Sequence, residues 1–194
     1  MLFSSIFFIF TFLPVLMAIY FMIPPEKMRL RNGVLLLASL IFYSWGEPVY
    51  VVLMIFSIVF NWYMSLVIER KNNSEEGAKK ELIFTIIINL FIMGFFKYFG
   101  FLMDSINFVL GTNIKYTALA LPIGISFYTF QALSYVFDVY KGTVEGQRNV
   151  LKFGLYLSLF PQLIAGPIVK YRDVAYQLDN RVCTQQKFGE GASR

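Results

Sequence analysis

The chain has 194 residues, of which 57% are apolar, including 22 Phe and 12 Tyr, and its net charge is +5. Because soluble proteins contain roughly 45–50% apolar residues with glycine included, this composition indicates an integral membrane protein and excludes an ordinary soluble domain. The positive charge gives no support to a nucleic-acid partner, since the basic residues lie in short loops between apolar runs, as the positive-inside rule predicts.

The first apolar run covers residues 2–23 and ends at Pro24-Pro25, which cannot continue a helix. It is too long for the hydrophobic region of a signal peptide. It also has no basic residues before it and no small-x-small site at its end. We therefore interpret it as an uncleaved first span, followed by a basic loop at 24–32.

Residues 33–68 form a 36-residue stretch whose only charge is Glu47. As a single helix it would be about 54 Å long, whereas the hydrocarbon core of a membrane is about 30 Å thick. The sequence Gly46-Glu47-Pro48 therefore predicts a hairpin between two spans, the first of which (33–45) is short. The remaining predicted elements follow in chain order: a polar loop at 69–81, a fourth span at 82–102, a loop to 118, a fifth span at 119–140 and a basic loop at 141–152.

The distribution of basic residues supports this number of spans. With the hairpin in place, ten basic residues face one side of the membrane and Lys115 alone faces the other. Such an asymmetry is expected between cytoplasmic and external loops, and it places the N-terminus outside. The ten residues are Lys27, Arg29, Arg31, Arg70, Lys71, Lys79, Lys80, Lys141, Arg148 and Lys152.

The stretch 153–169 is 17 residues long and is interrupted by Pro161, Gly166 and Pro167. A complete crossing would place all the basic residues of the tail, 170–194, outside. We therefore expect a re-entrant or broken segment that returns a polar, partly helical tail to the cytoplasmic side, with a full crossing as the alternative. Irregular backbone at membrane depth is tolerated only where it is buried in protein or lines a cavity.

The fifth span carries a row of small and polar residues at offsets of three or four, which places them on one helical face. Exposure to lipid would leave Gln131 and Asp138 without partners, and an aspartate at the centre of a span costs about 2.5–3.5 kcal/mol. We therefore expect this face to point into protein or a water-filled cavity. The row is Gly124, Tyr128, Gln131, Ser134, Tyr135 and Asp138; the opposite side carries Ile125, Phe130, Leu133, Val136 and Phe137.

The candidate lining of a substrate tunnel is therefore Tyr128, Gln131, Ser134 and Asp138. Hydrogen bonding between helices is the structural alternative. Lys97, near the end of the fourth span, either extends to the membrane interface or makes a buried contact. The polar stripe on the third span is typical of helix packing; it consists of Ser57, Asn61 and Ser65.

Two further candidates belong to the broken segment and the tail. The breaks at Pro161 and Gly166 free backbone groups, so Gln162 is a candidate for substrate contact, with a simple kink as the alternative. Arg172 either pairs locally with Asp173 or binds an acidic carrier or a phosphate. With Cys183 as its only cysteine and no histidine, the chain can form no internal disulfide and no zinc site.

Three motifs resemble one family. LPIGISFYTFQALSYVFDVYKG (121–142), LYLSLFPQLIAGPIVKYRD (155–173) and FFKYFGF (95–101) resemble the membrane-bound O-acyltransferase (MBOAT) family, in its branch of bacterial alginate O-acetyltransferases and teichoic-acid D-alanyl transfer proteins. The resemblance covers nearly all of residues 1–190. It implies an all-α, polytopic protein of the bacterial cytoplasmic membrane, with about five transmembrane helices and a broken sixth segment. Residues 1–169 would then form the N-terminal part of an MBOAT core, and 170–194 a tail leading into the next helix.

The resemblance also implies a function. Members of the family pass an acyl group from a cytoplasmic thioester, acetyl-CoA or an acyl carrier, toward hydroxyls of an external polysaccharide. An extracytoplasmic acyl-passing protein is the implied partner, and the alginate-type match favours acetyl as the acyl group.

The absence of histidine bears on activity. The family's catalytic histidine lies downstream of these motifs, and this chain has no histidine, so no catalytic residue is assigned and the chain is expected to be inactive alone. KFGEG (187–191) resembles the start of the next membrane helix, which leads us to expect a longer protein. A non-catalytic scaffold and a transport component for an acyl group or glycan are the alternatives.

Overall fold

A computed structural model describes residues 5–72, 74, 77–117, 119–166, 169–181 and 189–191. The described residues form helices joined by loops and contain no strand, as predicted for an all-α protein. Cys183 and Pro167 lie outside the described residues. The helices are, in chain order, a π-helical turn at Phe8–Phe12, α1 Leu13–Met22, α2 Met28–Gly46, α3 Val51–Asn72, α4 Lys79–Leu110, α5 Ile125–Tyr140, α6 Val150–Ser158, α7 Phe160–Ala165 and α8 Tyr171–Asp179.

Two helices of the described part, α3 and α4, are long and apolar enough to cross a membrane. The continuous helix Phe8–Met22 is a shorter apolar helix. Its π-helical turn bonds the Leu13 amide to the carbonyl of Phe8. Pro14 follows directly and has no amide hydrogen to continue the ordinary ladder. These lengths and compositions are consistent with a membrane protein.

The hairpin predicted at 46–48 is observed between α2 and α3. The start of α2 was placed too late by the sequence, because Met28–Asn32 are helical and not part of the preceding loop. Arg31 explains this difference, since its Nε and Nη2 donate to the carbonyl of Ile23 at 3.0 and 2.6 Å. That bond satisfies a backbone group at the end of α1 and joins the two helices.

The ends of α4 and α5 also differ from the prediction. Helix α4 continues eight residues beyond 102 and stops at Gly111, whose φ of +59° provides a left-handed C-terminal cap. Helix α5 begins at Ile125 and not at 119, because Gly124 at φ +74° ends the irregular segment before it. At 16 residues, α5 is about 24 Å long, so part of the 22-residue apolar run is not helical.

Helix α5 lies at the centre of the bundle, in contact with α3, α4 and α6. The main core forms around it, and a second apolar cluster joins α1, α2 and α7. In this second cluster the rings of Phe8, Phe42 and Phe160 have centroids 5.3 to 6.0 Å apart. Such aromatic pairs stabilise a contact beyond the area they bury.

The break predicted within 153–169 is observed at Leu159, between α6 and α7. The chain then turns back, because the Tyr156 hydroxyl on α6 donates to the carbonyl of Val169 at 2.9 Å. Helix α8 packs beside the N-terminal ends of α2 and α6: Asn32 Nδ2 donates to the Leu178 carbonyl at 2.8 Å, and Lys152 pairs with Asp179. Within the tail, Tyr171–Asp179 are thus helical.

Candidate functional site

The polar row of α5 points into the protein, as predicted from its spacing. Gln131 is fully buried, and its Nε2 donates to the carbonyl of Tyr156 on α6 at 2.9 Å. Tyr128 is also buried, whereas Ser134 and Asp138 are half-buried. Three enclosed atoms of this row have no hydrogen-bond partner among the described residues: the Tyr128 hydroxyl, Gln131 Oε1 and Asp138 Oδ2.

The opposite side of α5 carries both exposed and buried residues. Phe130 and Phe137 are exposed, as expected of residues that contact lipid. Ile125, Leu133 and Val136, predicted on the same side, are buried. Hydrophobicity does not predict this burial, because an apolar side chain suits a protein neighbour as well as it suits lipid.

A void next to Tyr128 has about the size of one water molecule. Its volume is about 10 Å³, near the minimum that holds a water, and Ser57, Asn89 and Thr129 contribute polar groups to its wall. A water there would lie beside Tyr128, whose hydroxyl has no partner among the described residues. The void is too small for an acyl chain.

The two long motifs pack directly against each other. A Cβ placed on Gly124 of the first motif would lie 3.3 Å from the carbonyl oxygen of Leu163 in the second. Glycine is thus required here by the close approach as well as by its positive φ. The preceding residue is held too, since the Tyr43 hydroxyl donates to the carbonyl of Ile123 at 3.1 Å.

Gln162 lies on α7, within the second motif. It is half-buried, and its Nε2 is enclosed without a partner among the described residues. The start of α7 is fixed by Ser39 on α2, whose hydroxyl accepts from the Phe160 amide at 3.3 Å. A buried amide donor that protein does not satisfy is a candidate contact for a ligand or a water.

Gln147, in the loop between α5 and α6, links this loop to three helices. Its backbone amide donates to the Tyr135 hydroxyl at 2.7 Å, and its side-chain Nε2 donates to the Tyr171 hydroxyl at 2.6 Å. Its carbonyl accepts from Trp62 Nε1 at 2.8 Å. Burial raises the pKa of Tyr171, so this hydroxyl stays neutral at physiological pH. Gln147 therefore holds α3, α5 and α8 to one loop.

The two remaining site residues predicted from the sequence, Lys97 and Arg172, lie apart from the buried polar residues of α5. Lys97 is exposed on α4, with its Nζ 5.6 Å from the centroid of the Tyr98 ring. Arg172 pairs with its neighbour Asp173 at 3.5 Å, and both side chains are more than half exposed. The structure thus contains the local pair considered for Arg172.

The sequence did not identify Asn89, Gln147, Tyr156 or Tyr171 as partners of the candidate residues. Asn89 had a signal, because Glu81, Thr85 and Asn89 recur at four-residue spacing on α4. Gln147 and Tyr171 had none, since a loop residue and a tail residue carry no periodicity that indicates a buried partner.

The chain is similar over its whole length to several curated proteins. It is 40% identical to the probable alginate O-acetylase AlgI of Pseudomonas syringae pv. tomato and 37% identical to that of Pseudomonas aeruginosa. It is 32% identical, over 93% of its length, to the peptidoglycan O-acetyltransferase of Helicobacter pylori. The alignments cover 38–39% of these proteins, so the chain spans about two fifths of their length. No protein-family model and no solved structure matches the chain.

Proposed function

Since the chain belongs to the family of the bacterial alginate O-acetylases, we propose that it forms part of a membrane-bound O-acyltransferase acting on a cell-surface polysaccharide. The acyl group would be acetyl and the acceptor alginate. The observation that carries this proposal is the alignment of the whole chain with alginate O-acetylases. The direct packing of the motifs 121–142 and 155–173 adds support.

Acyl transfer from a thioester to a hydroxyl needs a base for the hydroxyl proton and donors that stabilise the oxyanion. Histidine has the pKa that suits the base near neutral pH, and the chain has none. The base therefore comes from the part of the complete enzyme that corresponds to the rest of the relatives' length. The chain alone does not catalyse the transfer.

This chain contributes binding groups. Tyr128 and Gln162 hold unsatisfied donors, and Gln131 and Asp138 hold unsatisfied acceptors, in the two motifs that pack together. We assign Gln131, Asp138 and Gln162 to the wall along which the acyl donor or the acceptor is held, whereas Tyr128 lines a void with room only for a water molecule. Ser134, half-buried beside them on α5, belongs to the same wall. Acetyl-CoA or an acyl-carrier thioester serves as donor, and an extracytoplasmic acyl-passing protein is the expected partner.

The proposed location is the bacterial cytoplasmic membrane, crossed by five helices with the basic loops inside. Helix α8 lies beside the basic ends of α2 and α6, which favours a re-entrant α6–α7 segment over a full crossing. Lys97 remains a candidate for contact with a group that is not among the described residues. Arg172 remains a candidate for contact with an acyl carrier or a phosphate.

The acceptor has one competing assignment. The Helicobacter relative is named for peptidoglycan, whereas the five relatives named for alginate match this chain at 34–40% identity against 32%. Alginate is therefore favoured, and both acceptors share the chemistry of ester formation at a sugar hydroxyl.

A segment exchange tests the proposal. Residues 1–194 replace the matching segment of the Pseudomonas aeruginosa relative, in a strain that lacks its own copy, and the acetyl content of secreted alginate is measured. We expect the chimera to restore acetylation and the chain alone to give none, because only the chimera contains a histidine. The peptidoglycan of the same strain is analysed for added acetyl groups.

Two neighbouring substitutions give the matched control. Gln131→Leu removes the buried amide, while Phe130→Leu alters an exposed apolar side chain of the same helix. We expect acetylation to fall at least tenfold only in the first variant, at equal amounts of membrane-inserted protein. A stably inserted chimera that acetylates neither polymer would contradict the proposal and favour the scaffold or transport alternative.

A further inference from the structure

A cleft opens between α1 and the break that separates α6 from α7. Its volume is about 460 Å³, and apolar side chains form nearly all of its wall. Leu13, Leu16 and Met17 line it from α1, and Phe160 and Pro161 line it from α7. We refer to it as the α1–α7 cleft. Arg181 is the one charged residue among those that line it.

Two arginines flank a single aromatic ring at one end of this cleft. The guanidinium carbon of Arg31 lies 4.8 Å from the centroid of the Tyr20 ring, and that of Arg181 lies 5.8 Å from it. Tyr20 is itself part of the cleft wall. Each contact has the geometry of a cation–π interaction, which stabilises one cation but does not neutralise two.

Neither arginine forms an ion pair with any described residue. Arg31 is 5% exposed and donates to the backbone carbonyl of Ile23. Arg181 bonds the side-chain oxygen of Asn32, and its Nε is enclosed with no partner in the described part of the chain. A buried, uncompensated charge costs several kcal/mol, and two like charges beside one ring repel each other. The pair is therefore complementary to an anion.

The length and the apolar lining of the cleft indicate the chemistry of the rest of the ligand. From Phe21 to Leu13 its wall extends eight residues along α1, which is about 12 Å toward the middle of the helix. An anion at Arg31 and Arg181 would thus be attached to an apolar chain that runs along α1. Arg31 lies in the first turn of α2, close to Lys27 and Arg29, at the end of the helix that the charge asymmetry places on the cytoplasmic side, where anionic lipids concentrate.

We propose that the α1–α7 cleft binds an anionic phospholipid, with its phosphate at Arg31 and Arg181 and an acyl chain between α1 and α7. Bound there, the lipid neutralises both guanidinium groups and fills the space beside Phe160 and Pro161. It thereby supports the helix break at Leu159 from the lipid side. This site is independent of the acyl-transfer assignment.

Lipid retention by the intact protein in detergent tests this site. Native mass spectrometry compares phosphatidylglycerol with phosphatidylcholine of the same acyl chains, added to delipidated protein. We expect at least tenfold preference for phosphatidylglycerol. Arg181→Gln should reduce its retention about fivefold, which corresponds to the ~1 kcal/mol that one basic residue contributes near an anionic surface.

Two variants and one competitor complete the experiment. Met17→Trp fills the apolar part of the cleft without changing charge and should also reduce phosphatidylglycerol retention. Arg29→Gln, at an exposed position in the first turn of α2, should not. Equal retention of the two lipids, or an Arg181→Gln variant that behaves like Arg29→Gln, would overturn the proposal. Displacement of the lipid by inorganic phosphate alone would also overturn it, because the site would then recognise an ion and not a lipid.

Discussion

At the scale of single residues, the bundle is joined by amides that satisfy each other. Asn61 on α3 and Asn89 on α4 exchange two hydrogen bonds, at 3.1 and 2.9 Å, and both are buried. Each amide also donates to the carbonyl four residues earlier, of Ser57 and of Thr85. A fully satisfied pair of this kind fixes the register of two helices that otherwise present interchangeable apolar surfaces.

Removal of one asparagine should therefore lower the free energy of unfolding by more than half of what removal of both asparagines does. We expect Asn61→Leu or Asn89→Leu alone to lower the free energy of unfolding by ~1–2 kcal/mol, because the remaining amide keeps an unsatisfied buried group. The double variant should lose less than the sum of the two. A denaturant titration in mixed micelles measures this cycle, with Val59→Leu on the exposed side of α3 as control. Strict additivity would mean that the two side chains do not interact.

The sequence indicated some of these residues and not others. Polar residues within an apolar run, such as Asn61 and Gln131, are expensive in lipid, so their burial follows from composition and spacing. The burial of Leu133 and Val136 does not follow from composition and spacing, because their hydrophobicity is equally compatible with lipid and with a neighbouring helix. Their burial depends on which helices pack against α5, and that arrangement is set by tertiary packing.

At the scale of elements, proline and glycine located the breaks well, whereas hydropathy located the ends of helices poorly. Gly46-Glu47-Pro48 separated α2 from α3, and Pro161 accompanied the break before α7. The start of α5 was missed because residues 119–124 are as apolar as a helix interior, although Pro122 and Gly124 mark an irregular segment. The end of α4 was missed because polar residues after 102 were interpreted as a loop while the helix continues to Gly111.

The path of the α6–α7 segment predicts which side of the membrane α8 occupies. We expect a cysteine at Arg172 to react like one at Arg148, in the basic loop, and unlike one at Lys115, because α8 is bonded to the starts of α2 and α6. All three positions are exposed, and Cys183→Ser provides the background. An impermeant maleimide is applied to spheroplasts and to inside-out vesicles. Labelling of position 172 together with position 115 would show that the segment crosses completely.

At the scale of the whole molecule, one helix organises the rest. Helix α5 contacts α3, α4 and α6, and its polar groups find the Tyr156 carbonyl, the Gln147 amide and the Ser65 hydroxyl. The sequence predicted that such a face must be shielded. It could not predict the shielding partners, because long-range hydrogen bonds leave no local pattern. The enclosure of this face is the physical basis of the proposed binding wall.

Labelling with a thiol probe confined to the hydrocarbon tests this enclosure most directly. Single cysteines are placed at positions 130, 131, 132 and 137 of α5, in the 194-residue chain with Cys183→Ser, and membrane-inserted protein is labelled. Positions 130 and 137 should react, while 131 and 132, which are fully buried, should not. Reaction at position 131 equal to that at position 130 would contradict the account, because Gln131 would then face lipid.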